Sequence, residues 1–157
     1  AILFGAPAIN ATNDLVEVLR CEIDDQTGED LAVAVDHLRA TGGVLDVCQW
    51  PVFGKKGRIA TALQVLAHPA CAESITGTIL AETTTLGVRR TTQLRDILSR
   101  VHVDADGADV KLAHRPGGMT AKAAIDDVSY IKTAKAREAR RRTAENEALR
   151  ERSDDDR

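Results

Sequence analysis

The first hundred residues alternate between two spacings of apolar side chains. Residues 14–23 carry apolar side chains at alternating positions, which predicts a half-buried strand. Residues 28–41 place Leu31, Val35 and Leu38 on one face at helical spacing, which predicts a helix. The same two patterns then predict a strand over 44–53, a strand over 59–65, a helix over 69–82 and a strand over 88–98.

This order, β-α-β-β-α-β, predicts an α+β protein with a ferredoxin-like antiparallel sheet and two helices on one face. A further hairpin is predicted around Asp106–Gly107, a favoured two-residue turn. We expect a helix from Ala121 to about Leu149. Its charged last part indicates a solvated helix without an apolar face, ending in a disordered tail from Ser153. The predicted organisation is a lead-in segment (1–13), one domain (14–130), and a charged helix with its tail (131–157).

Composition excludes several classes of protein. The net charge of −3 does not indicate a nucleic-acid partner, and 3% aromatic residues leave few side chains for base stacking on an RNA-binding sheet. No stretch is apolar enough to span a membrane. Three separate cysteines in apolar segments predict buried, reduced thiols, which is typical of a cytoplasmic protein.

Polar clusters stand at three places that the predicted topology brings together. The end of the first strand, the turn after the second strand and the start of the fourth strand lie at one edge of such a sheet. The clusters are Asp24–Asp25 with Glu29, Lys55–Lys56 with Arg58, and Thr83–Thr85 with Arg89 and Arg90. Carboxylates bind Mg²⁺ or Mn²⁺, and Lys, Arg and metal together neutralise a polyphosphate. The clusters therefore predict a nucleotide–metal site.

Plainer interpretations exist for each cluster. Acidic residues at a helix start complement the helix dipole. Ion pairs across a surface contribute only about 0–1 kcal/mol each. His102 and His114 fall in the extra hairpin, where a metal role would require them to meet across it. Trp50 is interpreted as a packing residue.

The same segments carry a resemblance to a known family. The chain resembles the C-terminal part of the LarC family, the nickel insertion proteins for the nickel-pincer cofactor of lactate racemase. The resemblance runs in order from about Leu15 to Asp127. It rests on the segments Glu22–Glu29, Gly42–Val47, Pro51–Arg58 and Glu82–Arg90.

The resemblance implies a CTP-dependent nickel chelatase or cyclometallase of the lyase class. Nickel is then the substrate metal, inserted into pyridinium-3,5-bisthiocarboxylic acid mononucleotide with nickel–sulfur and nickel–carbon bonds, and CTP binds with Mg²⁺ or Mn²⁺. By carry-over, Asp24, Asp25, Lys55 and Lys56 are the candidate catalytic residues, and Asp24, Asp25 and Glu29 the candidate metal ligands. Arg58, Thr83, Thr84, Thr85, Arg89 and Lys122 are the candidate nucleotide-binding residues.

The chain departs from the family pattern at several positions. Glu22 stands where the family usually has Asn, Gly54 where it has Met, and Ala123–Ala124 where it has Pro-Glu. The sequence does not include the family's N-terminal domain, so we expect this chain to be one part of a split or longer protein. In the split case, a separate N-terminal LarC-type domain is an expected partner. The resemblance also implies a homo-oligomer, a trimer or hexamer. The alternative hypothesis is a non-catalytic ferredoxin-like domain for ligand sensing or oligomerisation.

Overall fold

The computed structural model of the protein describes residues 14–155, with side chains up to residue 152. The predicted lead-in segment 1–13 and the last two residues of the predicted tail lie outside this range. The described residues form two compact units, one up to Arg95 and one from Asp96 onward. The division falls inside the segment 14–130, whose assignment to a single domain stays a prediction.

The first unit has the predicted β-α-β-β-α-β order. Its sheet has the strand order β2-β3-β1-β4, and every neighbouring pair is antiparallel. The α+β fold class is therefore confirmed. The elements are β1 (Asp14–Ile23), α1 (Gly28–Ala40), β2 (Val44–Phe53), β3 (Ile59–Ala67), α2 (Ala72–Glu82) and β4 (Arg89–Arg95).

The core of this unit lies between its sheet and the two helices. From β1, the alternate residues Leu19, Cys21 and Ile23 pack with the helical stripes of α1 and α2. Leu38 of α1 and Ile75 of α2 are completely buried there. Burying an aliphatic side chain of this size contributes about 1.5–3 kcal/mol relative to leaving it exposed, so this layer fixes the sheet register.

Two residues define the ends of α1. Thr27 precedes the helix, and its hydroxyl oxygen accepts the Asp30 N–H at 3.2 Å, as the sequence predicts for a cap. After the helix, Gly43 has a φ of +89°, and a Cβ there would lie 2.5 Å from Cys71 Sγ. Only glycine fits both the backbone conformation and the close approach of Cys71.

The second unit is a three-stranded antiparallel sheet, in the order β5-β6-β7, and a helix. The predicted hairpin is confirmed, because Asp106 and Gly107 form its turn with φ of 52° and 70°. The prediction that the helix begins at Ala121 is wrong, because residues 118–123 form β7 beside β6 and the helix begins at Ala134. The elements are β5 (Arg100–Ala105), β6 (Ala108–Arg115), β7 (Gly118–Ala123) and α3 (Ala134–Asp155).

The charged helix α3 does have an apolar face, contrary to the sequence-based expectation. Ala144 and Ala148 are buried in the core of this unit with Val110 and Leu112. Glu145 Oε1 accepts the Ala123 N–H at 3.0 Å, which ties the helix to β7. The helix also continues to residue 155, so residues 153–155 of the expected disordered tail are helical. Small alanines suffice because they let the helix approach the sheet closely.

The cysteines differ in exposure. Cys21 is buried as expected, but Cys71 is only half-buried and Cys48 is exposed, so the prediction of three buried thiols is wrong. Burial raises the pKa of Cys21. The hydrogen bond from Cys48 Sγ to the carboxylate of Asp46, 3.3 Å long, raises the pKa of Cys48 because the thiolate would face a negative charge. In the range 14–155, no helix is both long and apolar enough to cross a membrane.

Candidate functional site

Three segments far apart in the chain meet at one edge of the first unit's sheet. We call them the acidic turn (Asp24–Gln26, after β1), the basic turn (Gly54–Arg58, between β2 and β3) and the threonine segment (Thr83–Thr85, after α2). Side chains of the acidic turn contact both of the others. The convergence predicted from topology is therefore present, and we call this edge the rim.

The acidic and basic turns are joined by one ion pair. Arg58 Nη2 lies 2.6 Å from Asp24 Oδ2. The two side chains remain 62% and 40% exposed, so water and salt screen the pair. Such a pair contributes about 0–1 kcal/mol to stability. The contact therefore positions both charges but opens at little cost.

The acidic turn and the threonine segment are joined by side-chain hydrogen bonds. The Thr84 hydroxyl donates to Asp25 Oδ1, and the Thr84 N–H donates to Gln26 Oε1 at 3.4 Å. Gln26 Nε2 in turn donates to the Glu82 carbonyl at 3.0 Å. Gln26 was not among the predicted site residues, although it follows the paired aspartates directly.

The three threonines have different roles in the structure. Thr83 is buried, and its hydroxyl donates to the Ile79 carbonyl at 2.7 Å, which closes the last turn of α2. The Thr85 hydroxyl donates to the Gly87 carbonyl at 3.1 Å. Only Thr84 directs its hydroxyl to a carboxylate of the rim. Nucleotide binding by Thr83, Thr84 and Thr85 stays a prediction.

An open cavity of about 460 Å³ lies at the rim. This volume is in the range of small-molecule sites. One part of its wall is charged and another part is apolar, as a ligand with phosphates and a ring would require. Its lining residues are Glu22, Asp24, Val52, Phe53, Gly54, Lys55, Arg58 and Ala60.

Glu22 and Phe53 are lining residues that sequence reasoning missed as site residues. Glu22 forms an ion pair with Arg89, and this hydrogen bond raises the pKa of Arg89 above its ordinary value. Phe53 is 84% exposed, which is unusual for a large apolar side chain. Its position directly before the basic turn, in a chain with few aromatic residues, is the signal that could have identified it.

Several predicted residues are not assembled into one group. Glu29 is exposed on the first turn of α1, and no three His, Cys, Asp or Glu side chains in the described part of the chain are placed together to hold a metal ion. The metal role of Asp24, Asp25 and Glu29 stays a prediction. Lys56 is exposed in the basic turn, and Lys122 belongs to the second unit.

Comparison with known proteins identifies relatives over most of the chain. The sequence profile of the family described as "Nickel insertion protein" matches residues 3–149. A solved structure of LarC2 in its apo form is 33% identical to this chain. LarC2 is described as the C-terminal domain of a cyclometallase involved in the synthesis of the NPN cofactor of lactate racemase. It superposes with a TM-score of 0.69 over 87% of this chain and 95% of that chain. A Methanopyrus kandleri structure, 23% identical with a TM-score of 0.56 over 86% and 90% of the two chains, shares the fold.

Two curated relatives bear the name pyridinium-3,5-bisthiocarboxylic acid mononucleotide nickel insertion protein. The Lactiplantibacillus plantarum protein is 42% identical over 92 residues, which cover 59% of this chain and 22% of that protein. The Staphylococcus saprophyticus protein is 36% identical over 126 residues, 77% of this chain and 32% of that protein. The chain thus spans between a fifth and a third of these relatives. The family profile and the LarC2 structure together show that the chain belongs to the nickel insertion protein family, LarC, and matches the C-terminal domain of that family.

Proposed function

We propose that this chain is the CTP- and divalent-metal-binding part of a nickel-inserting cyclometallase. The observation that carries the proposal is the rim, where carboxylates, cations and a hydroxyl from three segments meet beside a cavity of about 460 Å³. A stability role does not explain this collection, because exposed ion pairs contribute about 0–1 kcal/mol each. A metal-bound triphosphate needs both signs of charge in one place.

The donor set at the rim fits a metal–triphosphate. Asp24 and Asp25 offer hard oxygen ligands of the kind that Mg²⁺ and Mn²⁺ prefer. Glu29, on the first turn of α1, is not grouped with them in this structure and would have to move to become a third ligand. Lys55 and Arg58 line the cavity as cations for phosphate oxygens. Because the Arg58–Asp24 pair is exposed, Arg58 can exchange the carboxylate for a phosphate and leave Asp24 to the metal. The metal would neutralise the phosphates.

The relatives' name supports the reaction that we propose for the whole protein. In this reaction nickel is the substrate metal, and pyridinium-3,5-bisthiocarboxylic acid mononucleotide is its acceptor. Since this chain spans a fifth to a third of those relatives, an N-terminal LarC-type domain, either on the same longer chain or as a separate protein, would complete the reaction. We also propose that the chain acts as a homo-oligomer, a trimer or hexamer, in the cytoplasm.

Calorimetric titration with Mn-CTP tests the proposal, and a separate titration with Mn-GTP is the control for base specificity. We expect binding of CTP and its loss in Asp25→Asn, which keeps the shape of the side chain but removes the charge. The matched control is Asp36→Asn, an exposed aspartate of α1 outside the rim. No CTP binding, or binding untouched by Asp25→Asn, would contradict the proposal. Oligomerisation without nucleotide binding or pyrophosphate release would favour the non-catalytic alternative.

A further inference from the structure

Basic side chains form a row across the three strands of the second unit. His102 of β5 lies opposite Lys111 of β6, and Lys111 lies opposite Lys122 of β7. Residues directly opposite each other in antiparallel strands share one face of the sheet, and like charges in such pairs are destabilising. Lys111 and Lys122 therefore repel each other unless a negative charge lies between or beside them.

The row lines an open pocket of about 430 Å³, to which α3 adds Arg141. Within the described residues, neither Lys111 nor Lys122 forms an ion pair, and Arg141 Nη2 is 3.8 Å from Glu145 Oε1, beyond hydrogen-bonding distance. The Arg141 Nε is buried without an acceptor in the same range of residues. Among the residues that the structure describes, two lysines of the pocket thus lack an ion-pair partner, and Arg141 has an N–H group without a hydrogen-bond acceptor.

Two carboxylates line the same pocket and limit its positive charge. Asp109 contacts His102, whose Nδ1 lies 2.9 Å from Asp109 Oδ2. The partner of His102 is therefore Asp109, whereas a metal role for the two hairpin histidines would require His102 to meet His114. Asp126 stands at the start of the short helical turn after β7. Glu145 lies within ion-pair distance of Arg141, and Asp109 is already bound to His102. The unpaired positive charge of the pocket is therefore on Lys111 and Lys122, for which the described residues show no ion pair.

We propose that this pocket binds a phosphate group, held by Lys111, Lys122 and Arg141. A phosphate dianion removes the repulsion between the opposed lysines and supplies oxygen acceptors for all three cations. The source is either free phosphate or a small phosphate monoester, which share this chemistry. The site uses no residue of the acidic turn, basic turn or threonine segment. Lys122, which the family resemblance assigns to the nucleotide, belongs to the second unit and is assigned here to this pocket instead.

Calorimetry of the full chain at low chloride tests the site, with inorganic phosphate and CMP as separate ligands and no divalent metal. We expect both to bind, and the double variant Lys111→Gln/Lys122→Gln to weaken both by about tenfold or more, since tenfold is about 1.4 kcal/mol and two charged contacts are lost. The matched control Lys132→Gln/Lys135→Gln removes the same charge from exposed positions outside the pocket and should bind as the parent does.

A second measurement keeps the test valid if a variant folds poorly. Phosphate should raise the melting temperature of the parent and of Arg58→Gln, but not that of Lys111→Gln/Lys122→Gln, whose ligand-free melting temperature should equal or exceed the parent's. Equal phosphate binding by this double variant, or equal loss in the Lys132/Lys135 control, overturns the proposal. If CMP binds more tightly than phosphate and Lys111→Gln/Lys122→Gln removes this binding, a monoester is the source. Equal or weaker binding of CMP, or CMP binding that the double variant leaves intact, identifies free phosphate.

Discussion

Replacing Arg58 separates a structural role of the rim from a binding role. Arg58→Gln removes the positive charge that faces Asp24 across 2.6 Å and keeps a polar side chain. Since both partners are well exposed, the pair contributes at most about 1 kcal/mol to stability. We therefore expect the free energy of unfolding to fall by no more than about 1 kcal/mol.

The same substitution should have a larger effect on nucleotide binding. A hydrogen bond to a charged group contributes about 1.5–3 kcal/mol when its partner is otherwise left unsatisfied. With about 1.4 kcal/mol per factor of ten, the dissociation constant of Mn-CTP should rise roughly 10- to 150-fold. Arg58→Lys should recover part of this loss, because it restores the charge but not the planar guanidinium.

Urea unfolding measures the first effect, and calorimetry with Mn-CTP measures the second. The matched control is Arg39→Gln, because Arg39 forms an ion pair with Asp36 at 3.3 Å on α1, also with both side chains exposed and away from the cavity. The reasoning is refuted if Arg58→Gln binds CTP within about twofold of the parent. It is also refuted if this variant loses more than about 2 kcal/mol of stability, since the pair would then be structural.

Three further substitutions test other parts of the structure. Phe53→Ala should weaken Mn-CTP binding by about 1–3 kcal/mol but leave binding of inorganic tripolyphosphate unchanged, if the exposed ring stacks on the base. Gly43→Ala should lower the free energy of unfolding by about 2–5 kcal/mol, from the positive φ and the clash with Cys71. Asp46→Asn should lower the pKa of Cys48 and speed its alkylation at pH 8 severalfold, because more thiolate is present.

Each of these predictions has a control within the chain. Ile59→Ala removes the exposed cross-strand neighbour of Phe53 and should leave nucleotide binding intact. Gly42→Ala should be nearly neutral, since a Cβ there meets nothing within 4 Å. Asp36→Asn should not change the alkylation rate of Cys48. Equal effects of a substitution and its control, measured by calorimetry, urea unfolding or alkylation kinetics respectively, would contradict the corresponding argument.

The first unit was predictable because its signals are local and strong. Alternating apolar residues in β1, helical stripes in α1 and α2, and glycines after α1 all indicate the same elements. The rim followed from strand directions alone, and the contacts of Asp24 and Asp25 agree with it. The hydrogen-bond partner of each threonine hydroxyl could not be predicted. The Thr83 hydroxyl, for example, donates to the Ile79 carbonyl at the end of α2, and this contact depends on backbone geometry.

The second unit was harder because its residues favour the wrong element locally. Residues 118–123 include Ala, Lys and Met, which favour helix, yet they form β7 because β6 supplies a hydrogen-bonding edge. The buried residues of the apolar face of α3 are Ala144 and Ala148, with Leu149 beside them, and so few apolar residues give no clear helical stripe among so many charges. In both places tertiary packing outweighs intrinsic propensity.

Lys56 in the basic turn has a left-handed backbone, with φ of 59°. A residue with a Cβ gives up about 1–2 kcal/mol in that conformation, whereas glycine adopts it freely. A glycine would therefore make the turn more robust to heat, at the loss of one positive charge. If Lys56 binds a triphosphate, the lysine lowers thermal stability but contributes to activity, and selection for activity would retain it over glycine.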